Sequence, residues 1–430
     1  MFYPSVTDRF VEIHPKIRQR FPQLEQDLYG NRRTYLNSGG GTLMVDSAVH
    51  ALAQTAGSAN PQPGDVDPAE IATDQLQWRV RQLVADFINA SRPEEISFHF
   101  STTHALFNLA YSLRAILNSE NNLVVTDLDH MANISPWEDV WGEERGCEIR
   151  RARVDGEGRL DVDSLLSLVD GKTGLVALAM ASNGLGSVVP LRDVIPLIRE
   201  KSPTCLICVD AVHHALHGPV DVREMDCDFL AFSGYKVFGP MLGVLWGRAT
   251  LLDRLAPYRV ETGTDRSPYK FEQGTLNSAL LASLEGALGY LLWLGDELAV
   301  DAGSENLSRK ERFSSVMKAV TEYEGKLSQV VLEGFEALDA ERFRCYGVTD
   351  PQRVLERDPT FSFEIEGTSP EQIKRYLWEE YGFQIADRNH YSAAVYRHLG
   401  RDSICRASFA HYDTLQTARS LVEALEGLLG

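Results

Sequence analysis

Between residues 96 and 236 short apolar runs alternate with amphipathic stretches, and this alternation narrows the possible folds more than any other feature of the chain. The runs Ile96–Phe100, Leu123–Thr126, Cys147–Ala152, Gly174–Ala179, Leu206–Val209 and Asp228–Phe232 read as strands. Ala105–Leu117, a segment around Trp137, Val162–Leu168 and Leu191–Glu200 read as the helices between them. Strands separated by helices need crossover connections, so the expected class is α/β, with a mostly parallel sheet carrying helices on both faces. Ligands of such sheets collect beyond the carboxyl ends of the strands. Ser101–Thr103, His130, Asn183, Asp210 and Lys236 all fall there.

The flanks read differently. Residues 6–29 suggest an amphipathic arm interrupted at Pro15 and Pro22. The segment Ser38-Gly39-Gly40-Gly41-Thr42 is a glycine turn that could let a substrate approach the backbone, ahead of a helix through Ala53. Ala56 to Asp67 is a loop by composition, and the helix Ile71–Asn89 follows. A long apolar helix, Asn277–Leu298, leads out of the sheet region to a linker at Ala302–Glu305. Beyond it, helices at Arg309–Leu338, Pro370–Glu379 and Leu415–Leu429 and strands near Phe361–Glu364 and Gln384-Ile385 suggest a smaller α+β domain. The expected division is an arm over 1–33 packing on the small domain, a large domain over 34–300 and the small domain over 301–430. A chain of 430 residues is too long for one simple core.

A formal net charge of −19 argues against nucleic acid or an anionic membrane as a partner. The N-terminus has no apolar signal core and no later run reads as long enough to span a bilayer, so the expected address is cytoplasmic. The six cysteines are scattered. Cys205 and Cys208 have C-x-x-C spacing, but on a strand they point to opposite faces, so they read as core thiols and not as a metal pair. No histidine-cysteine cluster has zinc spacing, no phosphate-binding glycine pattern is present, and no metal is expected.

Lys236 carries the chemistry. It follows the run Asp228–Phe232 and a tight Ser233-Gly234-Tyr235 turn, which places its stem in apolar surroundings. Desolvation lowers an amine's pKa and favours Schiff-base formation with an aldehyde. Alone, such a lysine reads as a solvated strand end. Asp210, at the end of the preceding strand, changes that, because a carboxylate that keeps a pyridine nitrogen protonated is the partner a pyridoxal phosphate (PLP) site needs. Thr102-Thr103 at a helix N-terminus suits a phosphate, or is a threonine cap. His130 could stack on a ring or sit in a surface loop, and Asn183 could donate to a phenolic oxygen or shape a turn.

Three segments resemble the class V aminotransferase and cysteine desulfurase superfamily. They are Val209-Asp210 through Ser233-Gly234-Tyr235-Lys236 and Gly239-Pro240, then Phe271–Asn277, then Arg406-Ala407-Ser408-Phe409 with His411-Tyr412-Asp413-Thr414. The resemblance runs from Tyr35 onward. It implies a fold-type-I PLP enzyme with a seven-stranded-type sheet, Lys236 as the internal aldimine, Asp210 on the pyridinium and His130 over the ring. It further implies Asn183 and His213 beside the phenolic oxygen, and Thr102, Thr103, Ser233 and Tyr235 around the phosphate. Arg406 would fork onto a substrate carboxylate near Gly40. Thr275 would reach the cofactor of a partner subunit, which implies a homodimer.

One departure stands out. Desulfurases carry a mobile persulfide-forming cysteine on a loop that here reads Asp387-Arg388-Asn389-His390-Tyr391-Ser392-Ala393, with Ser392 at or near its place. Asn389, His390 and Tyr391 would instead contact a substrate, or only pack the loop. The expectation is therefore β-elimination, with C–S cleavage of an amino acid or cysteine conjugate through an external aldimine and quinonoid, without a protein persulfide. Transamination or epimerisation is the second reading and a catalytically silent scaffold the third. Decarboxylation-linked chemistry stays open.

Overall fold

A computed structural model describes residues 5–58, 62–299 and 307–430. The strands of its main sheet are β1 (Ile96–His99), β2 (Asn122–Thr126), β3 (Glu148–Ala152), β4 (Thr173–Ala179), β5 (Leu206–Asp210), β6 (Phe229–Ser233) and β7 (Gly243–Gly247). They lie in the spatial order β1-β7-β6-β5-β4-β2-β3. All pairings from β6 to β3 are parallel, whereas β7 runs antiparallel to both of its neighbours. Every residue of β2, β4, β5, β6 and β7 is buried, because helices cover both faces; such strands read as continuous apolar runs. β3 is the exception. It forms an edge, and it carries Glu148, Arg150 and Arg151, charges that discourage pairing with another chain.

β7 has no counterpart in the sequence reading. Its apolar core is bracketed by Gly243 and Gly247, and the first of these is a steric necessity. A Cβ on Gly243 would lie 2.3 Å from the Ser101 carbonyl carbon. The bare backbone lets the turn after β1 lie directly on β7.

A second, antiparallel sheet places β9 (Thr360–Ile365) between β8 (Phe343–Tyr346) and β10 (Cys405–Ser408). The helices Arg309–Glu336, Pro370–Tyr381 and Leu415–Leu429 accompany it. Thr34–Tyr35 pairs in parallel with Phe383–Gln384, and Asn37 bridges to Ser408. Thr34–Tyr35 and Phe383–Gln384 thus form a separate two-stranded sheet, and the Asn37 bridge ties this segment to the second sheet, although it precedes the first helix of the large domain.

Several expectations need correction. Pro15 does not interrupt the arm, which is helical over Val6–Gln19. The proline sits on the exposed side, beside Val11 at 54% exposure, where the carbonyl it leaves unpaired meets water. The arm's other face buries Phe10, Ile13 and Ile17, and Phe10 stacks on Tyr323 with centroids 4.4 Å apart. The helix expected to end at Ala53 extends over Asp46–Ser58. Among the described residues one helix, Ser278–Glu297, is long and apolar enough to cross a membrane, with a mean hydropathy of 1.3 in an 18-residue window. It is mostly buried against the helices Asp46–Ser58 and Pro68–Phe87, so its apolarity is that of a core helix. The linker expected at Ala302–Glu305 lies outside the described residues.

Candidate active site

A cavity of about 1190 Å³ opens where the carboxyl ends of β4, β5 and β6 face the second sheet. Lys236 is placed there by a single turn of 3-10 helix, Gly234–Lys236, immediately after β6. Its side chain is 4% exposed and its amine donates to the Gly39 carbonyl. Burial, with the Arg406 charge adding to it and Asp210 opposing, brings the amine from 10.5 down to about 7. Half of these amines are neutral at physiological pH, which a nucleophile or general base requires.

Asp210 ends β5. Its carboxylate accepts from the Val212 N–H at 2.8 Å, and burial raises its pKa to about 6 against that hydrogen bond and Lys236. A further buried acid, Asp129, accepts from Asn133 Nδ2 at 2.6 Å and from the Thr126 hydroxyl, and burial lifts it to about 7. Sequence reasoning gave Asp129 no role, although it directly precedes His130. The His130 ring is anchored because its Nδ1 accepts from the Ala132 N–H at 3.0 Å. Burial, Lys236 and Arg406 lower this imidazole to about 4, so the ring is neutral and carries its hydrogen on Nε2.

At the amino end of the helix Thr102–Ser112, the cap is Ser101, which accepts from the His104 N–H, and not a threonine. The Thr102 hydroxyl donates to the Phe232 carbonyl at 2.9 Å and accepts from Ser233 Oγ at 2.6 Å. That hydroxyl is turned to the sheet, so what Thr102 offers an anion is its backbone N–H. Thr102, Thr103, Ser233 and Tyr235 all line the cavity around this helix end.

Arg406 enters from β10. It is 2% exposed, donates to the Asn183 carbonyl at 2.7 Å and reaches Asn37 Oδ1 at 3.4 Å; its Nε has no partner. No carboxylate pairs with it among the described residues. A buried guanidinium held only by neutral oxygens is costly unless an anion joins it. Gly39 makes room for it, since a Cβ there would lie 3.2 Å from the guanidinium carbon.

The loop 387–393 closes one side. Asn183 Nδ2 donates to the His390 carbonyl at 2.8 Å, and Asn183 Oδ1 accepts from Ser392 Oγ at 2.7 Å. Met131 N–H donates to the Tyr391 carbonyl at 2.9 Å, and the Tyr391 ring lies 5.5 Å from that of His130. His390 and Tyr391 hold positive φ values of 52° and 56°, a strained pair that these bonds keep in place. Asn389 and Tyr391 face the cavity, whereas Ser392 is fully buried. His213 also lines the cavity, and its Nε2 lies 3.2 Å from Thr360 Oγ1. Thr275 does not: it is exposed, away from this chain's own cavity. No cysteine lines the cavity, and burial raises the Cys405 thiol far above its ordinary range.

The donor set fits pyridoxal phosphate. A buried amine near neutrality, a buried carboxylate at a strand end and a helix amino terminus answer an aldehyde, a pyridine nitrogen and a phosphate in turn.

The aminotransferase class-V family model matches residues 34–310 and 313–421. A cysteine desulfurase of Pectobacterium carotovorum is 30% identical over 427 residues, covering 96% of this chain and 97% of that protein. A cysteine desulfurase of Yersinia pestis is 29% identical over 436 residues, with 96% and 98% covered. Among solved structures, a cysteine desulfurase from Escherichia coli carrying an S-sulfonic acid superposes with a TM-score of 0.80 at 24% identity, covering 97% of this chain and 99% of that one. The apo enzyme from Thermococcus onnurineus gives the same TM-score and identity over 92% and 94%.

Proposed function

The chain belongs to the class V aminotransferase and cysteine desulfurase superfamily of PLP-dependent enzymes, and from that premise we propose that it cleaves the C–S bond of cysteine or a cysteine conjugate without a persulfide on its own chain. The observation that carries this reading is the meeting, in one cavity free of cysteine, of a half-neutral buried lysine with a buried arginine that lacks an anionic partner. The curated relatives named cysteine desulfurase support the substrate class.

Pyridoxal phosphate supplies an aldehyde that captures amines and a protonated ring that withdraws electron density from the substrate's α-carbon. Lys236 holds the aldehyde, Asp210 keeps the ring nitrogen's proton, and His130 covers one face of the ring. The N–H groups of Thr102 and Thr103, with Ser233 and Tyr235, hold the phosphate, and Asn183 and His213 flank the phenolic oxygen. The partner subunit's Thr275 completes the phosphate site in a homodimer, which is consistent with its exposure here. Arg406 takes the substrate carboxylate as a planar fork beside Gly40 and fixes which α-bond faces Lys236. Lys236 would be the base that takes the substrate's α-proton, the C–H electron pair becoming a Cα=Cβ bond as the Cβ–S pair leaves with sulfur as a thiolate. Asn389 and Tyr391 contact the substrate and limit water at the cavity mouth. A cytoplasmic address completes the reading, supported by six free thiols.

A variant with all six cysteines replaced by serine or alanine tests this directly. It is expected to load the cofactor and to release thiol, keto acid and ammonia from an S-substituted cysteine at near wild-type rates. A folded, loaded variant that is inactive on every amino acid would return the chain to persulfide chemistry. Keto acid without thiol would mark transamination, racemised substrate an epimerase, and a colourless protein that takes up no cofactor a scaffold.

A further inference from the structure

Behind the His213 side of the cavity lies a group of ligating side chains of which the reaction uses only His213. His213, His214 and His217 come from the turn after β5, Asp358 from the approach to β9, and Glu324 from the helix Arg309–Glu336. All but His214 are at most 4% exposed. One ligand atom each from His213, His217 and Asp358 lie within 4.8 Å of one another, with His213 Nε2 3.9 Å from Asp358 Oδ2. His217 Nδ1 is 2.7 Å from Glu324 Oε2, and His214 Nδ1 is 3.0 Å from Asp358 Oδ1. His217 Nε2, His213 Nδ1 and Glu324 Oε1 are buried with no hydrogen-bond partner.

We propose that His213, His217 and Asp358 bind a divalent transition-metal ion of the zinc type, which clamps the end of β5 to the second sheet. Two imidazoles and a carboxylate are a borderline donor set that suits zinc, and a water completes a tetrahedron. Two of the three ligand side chains already have an outer partner. Glu324 orients His217 through Nδ1, leaving Nε2 as the free donor, and His214 holds the second oxygen of Asp358. Asp358 and Glu324 bring two buried carboxylates to the ion, while His214 and the buried Arg357 are the cationic groups beside Asp358. Metal–ligand bonds of about 2.1 Å put tetrahedral ligand atoms about 3.4 Å apart, so side-chain rotations of an ångström or so close the site. Ligation through Nε2 would put the hydrogen of His213 on Nδ1, making the cavity-lining ring a donor of fixed orientation.

The test uses the full-length holoprotein and does not depend on turnover. Protein purified after growth with zinc and gel-filtered in dilute chelator is expected to retain about one zinc per chain by elemental mass spectrometry. X-ray absorption at the zinc edge should show nitrogen and oxygen neighbours near about 2.0 Å and no sulfur near about 2.3 Å. His217→Gln and Asp358→Asn should each lower the retained zinc by about tenfold or more. Stoichiometric zinc added to the stripped wild type should raise its melting temperature, a readout that needs no variant to fold. Wild-type protein that neither retains zinc nor is stabilised by it overturns the proposal. So does sulfur in the first shell, or zinc content unchanged in both variants.

Discussion

The amine of Lys236 sets how this protein acquires its cofactor, and the structure gives that step a pH dependence. With the amine brought to about 7, the neutral, reactive fraction rises from ~10% at pH 6 to ~90% at pH 8 and then saturates. Apoprotein mixed with excess pyridoxal phosphate should therefore load about tenfold faster at pH 8 than at pH 6, with little further gain to pH 10. An ordinary lysine would instead gain about tenfold per pH unit through the whole range. Stopped-flow absorbance of the bound cofactor measures the rate, and N-acetyl-lysine corrects for the titration of the free cofactor. Arg406→Gln removes the charge that depresses the amine alongside burial, so the inflection should move up; Asp210→Asn should move it down. A rate that climbs without a plateau above pH 8 would refute the argument.

The same shift has a stability consequence of fixed sign. Between pH 7 and 10.5 the unfolded chain holds a proton on this lysine and the folded apoprotein does not, so folding is disfavoured more as the pH falls through that window. The full shift corresponds to about 5 kcal/mol as an upper figure. Apo Lys236→Met should accordingly outlast the apo wild type to heat at pH 7, and the gap should close towards pH 10.

The remaining predictions concern four side chains. Asp210→Asn should bind cofactor but lose turnover by orders of magnitude, since an amide cannot hold the ring proton; near-normal kcat would assign that work elsewhere. Arg406→Lys keeps the charge and loses the fork, so substrate binding followed by spectral titration should weaken by about 1–3 kcal/mol with cofactor affinity unchanged. Glu272 accepts from Arg81 NH2 at 2.6 Å and from the Phe98 N–H at 3.0 Å with both side chains at most 4% exposed, so Glu272→Ala should cost about 3–5 kcal/mol in chemical denaturation. Ser392→Ala removes the hydroxyl that holds Asn183, and should change KM for the amino acid while leaving cofactor content at wild-type level.

The sheet was legible because burial on both faces leaves its strands as unbroken apolar runs, and Val162–Leu168 and Leu415–Leu429 have the bounds their periodicity gives. β7 escaped because glycines bracket its short core, where composition resembles a loop, and β8 because Arg344 and Cys345 break its apolar pattern. At the site, residue type and strand-end position were enough to bring Lys236, Asp210 and His130 to one cavity, and the family resemblance added Arg406. They could not reveal Asp129, whose burial depends on Thr126 and Asn133, or Glu272, whose partner Arg81 lies 191 residues away. Partnerships of that kind are set by packing and leave no periodic trace.

The loop 387–393 shows most clearly what geometry adds to residue identity. From the sequence, Ser392 in place of a mobile cysteine removes a thiol and leaves open whether the loop still swings. In the structure Ser392 is fully buried, its hydroxyl ends on Asn183, and Asn183 in turn holds the His390 carbonyl and presents its own carbonyl to Arg406. One asparagine thus links the loop to the cation that awaits a carboxylate. Opening the loop would break the bonds that Asn183 makes to His390 and Ser392 and expose a strained pair at His390 and Tyr391. A chain arranged this way is suited to positioning a substrate through the loop, with the side chain at position 392 packed away from the cavity.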